Sequence, residues 1–283
     1  MTLRRNFSLF GPPLRTRSRL RIWAGTIFFY CRKYLYWYFS RHRFARSLLE
    51  PRQAQVIAEH RTPLLRKLNN VEMQLQYNKV HNLGLAIRKL NGLALNPGEI
   101  FSYWRLIGRP TSRAGYREGV VLERGQVIAG IGGGLCQLSN LIYWLTLHTP
   151  LIVTERWRHG YDVFPDAGRT QPFGSGATCS YPNIDLQIKN PTAQPFQLSL
   201  ELTATHLVGR WLSSEPSPVR YEVFERDHRI EGNWAGGDTR HNRIFRRVID
   251  CKTGLALREE FVTQNQALMM YEPLLPPSGA AGD

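Results

Sequence analysis

Apolar and polar positions change their period several times along the chain, and each change marks an element. Val80, Leu83, Ile87 and Leu90 recur at helical spacing, so the spacing predicts helix across much of residues 51–93, with Gly92 as its stop. Pro97-Gly98 is a turn signal, and Glu99 to Tyr103 reads as extended. Val120-Val121-Leu122 and Val127-Ile128 flank Arg124-Gly125, which predicts a hairpin over 116–130. A run of glycines then opens a second helix, from about Gln137 to Leu147, closed by Pro150. Residues 151–182 mix strand-like pieces with Gly and Pro. The segments 184–189, 195–202, 206–212, 219–225, 243–250 and 255–261 are short, apolar in alternation and split by turns, as in antiparallel sheet.

This pattern places the chain in the α+β class. It has N-terminal helices, a central mixed α/β region with a Gly-rich turn leading into a short helix, and a C-terminal antiparallel β-rich region. The expected organisation is a basic aromatic extension over 1–50, a core over 51–190, a β-rich part of the same domain over 191–272, and a loose Pro/Gly/Ala tail over 273–283.

Charge refines the picture at one end. The formal net charge is +15, and residues 1–50 hold eleven basic side chains against the single acid Glu50. Such an arm suits an anionic surface: lipid, wall polymer or nucleic acid. The apolar run Ile22 to Tyr30 is too short to span a bilayer, and Arg32 and Lys33 end it. With Tyr34 to Phe39 it predicts a helix that lies on an anionic membrane surface or packs on the domain. Nucleic acid is not the expected partner, because the basic residues cluster in the arm and no reading module is present. Without a visible export signal, the expected place is the cytoplasm, peripheral to the inner membrane face.

Cys31, Cys136, Cys179 and Cys251 are the only cysteines, and none form a C-x-x-C pair. A zinc ribbon or thioredoxin-type site is therefore not expected, nor any metal or cofactor. A reduced compartment is expected, with up to two bridges left open.

Candidate chemistry gathers at Gly132-Gly133-Gly134-Leu135-Cys136-Gln137. A phosphate loop would end in Gly-Lys-Ser/Thr, and a dinucleotide turn would need a glycine where Leu135 stands, so both nucleotide readings fail. A cysteine at a helix N-terminus feels the positive end of the macrodipole, which favours thiolate. Leu138, Leu141, Ile142 and Leu145 form an apolar seam, and at about 100° per residue Cys136 lies nearly opposite it, with Asn140 and Tyr143. That face suits a cleft wall, although a free cysteine also serves as a small core filler. His148 would stand about 18 Å away along the same helix at 1.5 Å per residue, so His159 is the candidate base. Asp162 is the candidate to orient it, in competition with Asp166 and Asp185. Gly132, Gly133, Gly134 and Gln137 are candidates for an oxyanion or substrate subsite.

Four stretches resemble the VanW family. They are Leu75-Gln76-Tyr77-Asn78-Lys79-Val80 leading to Pro97–Trp104, Gly130–Asn140, Thr154–Pro165, and Arg169–Thr178 with Ile184–Asn190. Together they run over most of residues 60–270. The resemblance implies a link to glycopeptide resistance and the bacterial cell envelope, without implying a settled reaction. It maps the family's cysteine to Cys136 and its histidine to His159. Gly176 stands where many relatives carry Asp, so this position stays outside the site. Two functions follow as expectations. One is a cysteine-dependent hydrolase or transferase acting on an amide or ester of peptidoglycan or its precursor. The other is a non-catalytic module that binds the same material, with Tyr103, Trp104 and Trp157 stacking on sugar.

Overall fold

The computed structural model describes residues 18–50, 52–65, 72–123, 126–163, 171–232 and 237–271. In chain order the elements are helix α1 (Arg19–Phe39), strand β1 (Gln55–Pro63), helix α2 (Met73–Leu90), and short strands β2 (Ala94–Leu95) and β3 (Ile100–Ser102). Helix α3 (Tyr103–Ile107), hairpin strands β4 (Glu118–Glu123) and β5 (Gln126–Ile131), and helix α4 (Leu135–Leu147) follow. The rest is strand: β6 (Ile152–Glu155), β7 (Tyr161–Asp162), β8 (Gln187–Lys189), β9 (Phe196–Leu202), β10 (His206–Ser213), β11 (Val219–Gly232), β12 (Asp238–Asp250) and β13 (Ala256–Met269). The α+β class expected from periodicity is the class observed.

Residues 1–40 and 41–283 are two compact units. The first contributes α1, whose N-cap Ser18 accepts a hydrogen bond from the Arg21 amide at 3.3 Å. Among the described residues no helix is long and apolar enough to cross a membrane.

In the second unit, helices α2 and α4 pack on the sheet ordered β1-β10-β9-β2. Central strand β9 buries both faces over Phe196–Leu200, and Trp211 of β10 is fully buried. A three-stranded sheet ordered β3-β8-β6 and the long antiparallel ribbon β11-β12-β13 complete the unit, with β7 paired in parallel on β13. Residues 41–49, expected with the extension, are woven into this unit through bridges Phe44–Ile100 and Leu48–Leu93.

Two expectations need correction. The helical stretch beginning at 51 is in part a strand: Gln55–Pro63 pairs antiparallel with β10 over the length of β1. That pairing partner lies about 150 positions away, where no local period can register it. The last three strands also run well beyond the apolar segments 219–225, 243–250 and 255–261. Their polar continuations stay paired to the ends, with Gly232 on Asp238 and Thr239 on Leu268, and Arg243 of β12 pairs with Asp227 of β11.

Candidate active site

The glycine turn sits where three elements converge. Gly134 is the N-cap of α4 with φ of 91°, a left-handed conformation that glycine adopts cheaply. Gly133 passes so close to strand β4 that a Cβ there would stand 2.6 Å from the Gly119 Cα, and closer still to its carbonyl group. Asn82 of α2, fully buried, fastens the turn from below. Its side-chain amide donates to the carbonyls of Gly133 at 3.0 Å and Arg117 at 2.9 Å, and its oxygen accepts from the Arg117 amide at 2.8 Å. From the far side, the Tyr103 hydroxyl donates to the Leu135 carbonyl at 2.8 Å.

The turn's own amides are already spent. Gly132 N–H donates to Arg117, Gly133 N–H to Gly130 and Gly134 N–H to Val120, at 2.9–3.0 Å. The expectation that Gly132, Gly133 and Gly134 present N–H groups to a ligand is therefore corrected: they are glycines because backbone meets backbone. Gln137 also differs from its expected role. Its amide nitrogen donates to Thr62 Oγ1 at 2.9 Å and to the Pro63 carbonyl at 2.8 Å, tying α4 to β1.

Cys136, the second residue of α4, is half-buried. Its sulfur lies 3.6 Å from the sulfur of Cys179 and 3.5 Å from the Cys179 carbonyl oxygen, and His159 is near enough to influence its charge. These contacts come from bridge pairing: Trp157 bridges Thr178, which lays residues 156–159 beside 176–179 at the mouth of α4. The hydrogen bond from Cys179, with those from His159 and the local backbone, holds the Cys136 thiol well below the ordinary thiol range, against burial, which pushes it up. Burial and the neighbouring Cys136 sulfur push the buried Cys179 thiol well above that range. Of the two neighbouring sulfurs, Cys136 is therefore the more acidic and Cys179 the less.

The surrounding shell fixes this pair. Ser139 Oγ donates to the Ala177 carbonyl at 2.6 Å and lies 3.5 Å from the Cys179 sulfur. Asn140 accepts from the Ala177 amide at 2.7 Å, and an added Cβ at Gly176 would come within 2.9 Å of the same oxygen. A side chain at position 176 would therefore displace Asn140. Arg156 lies over the Tyr143 ring at 4.8 Å and donates to the carbonyls of Gly174 and Gly176. Those bonds stitch the loop before Cys179 to the strand before His159.

Asp162 is not placed to orient His159. Its carboxylate is buried between Arg240, at 3.4 Å, and the Tyr271 hydroxyl, at 2.9 Å, where it holds β7 on β13. Its competitor Asp185 accepts from Ser102 Oγ at 2.6 Å, the Trp104 amide at 2.9 Å and the Leu186 amide at 3.0 Å, a structural hub. Asp166 lies outside the described residues. Tyr103 and Trp104 are core residues, so of the three aromatics expected to stack on a ligand only Trp157 is exposed. Cys179 is the site residue that sequence reasoning missed. It lies 43 positions from Cys136 and carries no spacing signal of its own.

A family profile described as VanW like protein matches residues 78–212, the span that holds most of α2, the glycine turn, both sulfurs and His159. The vancomycin B-type resistance protein VanW of Enterococcus faecalis is 31% identical over 200 residues, which cover 71% of this chain and 72% of that protein. The chain belongs to the VanW-like family. The uncharacterized protein YoaR of Bacillus subtilis is 27% identical over 118 residues, 42% of this chain and 37% of that protein. No solved structure matches the chain. The profile match ends within β10, before the ribbon β11-β12-β13 that supports β7.

Proposed function

We propose that the chain acts in glycopeptide resistance as a cysteine-dependent acyl hydrolase or transferase on peptidoglycan or its precursor. The observation that carries this reading is the Cys136 sulfur at the head of α4, half-buried, 3.6 Å from the Cys179 sulfur and made more acidic by Cys179 and His159. A thiolate so held is a nucleophile at neutral pH. Its sulfur attacks the carbonyl carbon of an amide or ester, and a C–S bond forms as the carbonyl π pair moves to oxygen. His159 delivers a proton to the leaving nitrogen or oxygen, and the bond to that group breaks to give a thioester. Water or an amine then attacks the thioester, loses its proton to His159 and releases Cys136. The oxyanion falls to the first-turn amides of Leu135 and Cys136, positions that a helix leaves without an intrahelical acceptor. The name of the Enterococcus relative supports the link to vancomycin resistance and hence to the cell wall.

Incubating the full chain with a wall-precursor pentapeptide and reading the intact mass tests this. The expected result is an acyl adduct on Cys136, absent from Cys136→Ala, together with loss of resistance in a host that carries the variant. No adduct and full resistance from a folded Cys136→Ala chain would overturn the proposal. Heat on titration with muropeptides in that case would leave a binding module as the function.

A further inference from the structure

Cys136 and Cys179 are free thiols with sulfurs 3.6 Å apart. A disulfide needs about 2.04 Å, so the two side chains must close about 1.6 Å between them. Cys136 is half-buried on the first turn of α4. Cys179 sits between the bridges Trp157–Thr178 and Ser180–Ile184, so its backbone is held in place facing the helix. Ser139 lies between the chain segments, 3.1 Å from the Cys136 carbonyl and 3.5 Å from the Cys179 sulfur, which keeps the second thiol turned toward the first. A catalytic nucleophile does not need a second cysteine against it, and no metal-binding cluster explains the pair among the described residues.

We propose that the pair is a peroxide-reactive modification site, in which Cys136 is oxidised and Cys179 is the resolving thiol that closes an intramolecular disulfide. The thiolate of Cys136 attacks one oxygen of hydrogen peroxide. An S–O bond forms, the O–O bond breaks, and the departing hydroxide is protonated to water, leaving a sulfenic acid. The Cys179 sulfur then attacks the Cys136 sulfur. The S–S bond forms, the S–O bond breaks, and hydroxide leaves with the Cys179 proton as a second water. In sum, two thiols and one peroxide give one disulfide and two waters, with two electrons passing from sulfur to oxygen. A dithiol reverses the step by exchange.

The oxidised chain cannot attack a carbonyl, so the same pair would switch off the proposed acyl chemistry and shield Cys136 from irreversible oxidation. The disulfide itself does not depend on that chemistry. Its test reads thiols and mass, so the two proposals fail separately.

The full chain carrying Cys31→Ser and Cys251→Ser leaves two thiols to count. After treatment with hydrogen peroxide and then denaturation, a thiol reagent should find none, and the intact mass should fall by about 2 Da, the two hydrogens lost on disulfide formation. Proteolytic peptides should be joined through residues 136 and 179, and dithiothreitol should restore both thiols. With Cys179→Ala added, Cys136 should instead gain about 16 and then about 32 Da as it climbs the oxidation ladder, with the later product unaffected by dithiothreitol. Two thiols surviving peroxide, or an oxygen gain in the chain that retains Cys179 without a 136–179 link, would overturn the inference.

Discussion

Adding one methyl group at Gly133 tests whether the glycine turn exists for packing. In Gly133→Ala the new Cβ would stand 2.6 Å from the Gly119 Cα and nearer still to the Gly119 carbonyl. Carbon atoms settle at about 3.5–4.0 Å, and backbone atoms cannot rotate away as a side chain can. The hairpin β4-β5 must therefore retreat by about 1 Å or more. Overpacking of this kind costs about 1–3 kcal/mol. The retreat also pulls on two hydrogen bonds that tie turn to hairpin, Gly134 to Val120 at 2.9 Å and Gly132 to Arg117 at 3.0 Å. At about 1 kcal/mol each, the total reaches about 3–5 kcal/mol. Gly160→Ala is the matched control, because a Cβ there meets nothing within 4 Å, and a surface change of that sort costs within about 0.5 kcal/mol. Urea unfolding followed by tryptophan fluorescence compares the two. The midpoint should fall by about 1 M or more for Gly133→Ala at ordinary urea sensitivities and stay in place for Gly160→Ala. Equal midpoints in the two variants would refute the packing account and reopen a ligand role for the turn.

Three further outcomes follow from the site. Because Cys136 is held below the ordinary thiol range, its alkylation by iodoacetamide should keep its rate to lower pH, with a midpoint under the free-thiol value of about 8.5. Cys179→Ala should raise that midpoint more than His159→Ala does, since the hydrogen bond from Cys179 is the largest of the lowering influences; the reverse order would sink this account of the thiolate. Asp162→Ala removes a buried carboxylate from beside Arg240 and should cost up to about 3–5 kcal/mol, with the alkylation midpoint of Cys136 unmoved. A shifted midpoint at unchanged stability would return Asp162 to the imidazole. Gln137→Ala should loosen α4 from β1, read as faster hydrogen exchange at Thr62 and its neighbours, since the bonds to Thr62 and Pro63 are lost; unchanged exchange there would count against that tie.

Local pattern carried the parts of this fold whose cause is local. The hairpin 116–130, the helix after the glycines and the starts of the C-terminal strands follow from period and turn residues alone. The helix begins two residues earlier than expected, at Leu135, because the left-handed Gly134 is its cap. What stayed illegible depends on distant partners. Gln55–Pro63 is a strand because β10 completes it. The buried stripe of α2 includes Gln76, Lys79 and Asn82, polar residues that a hydrophobic period passes over, and Asn82 is there to bind the turn. Cys136 and His159 could be singled out together from the sequence because each sits in a marked motif. Cys179 was not, since only the bridge between Trp157 and Thr178 brings it to the helix. Asp162 misled because three positions in sequence look like proximity, while the strand pairing of β7 turns its carboxylate to Arg240 instead.

The parallel pairing of β7 with β13 has a bearing on the order of events during synthesis. Gly160, next to His159, accepts from the Leu268 amide at 3.0 Å, and Asp162 accepts from the Met270 amide at 2.9 Å. Both sulfurs are already in the chain once residue 179 has been made, yet the segment that carries the imidazole is anchored by a strand made some hundred residues later. A ribosome-bound chain can therefore hold the two cysteines before β7 has its partner strand. Until the final strand closes, the segment with His159 has its bridge from Trp157 to Thr178 but lacks the pairing of β7 on β13.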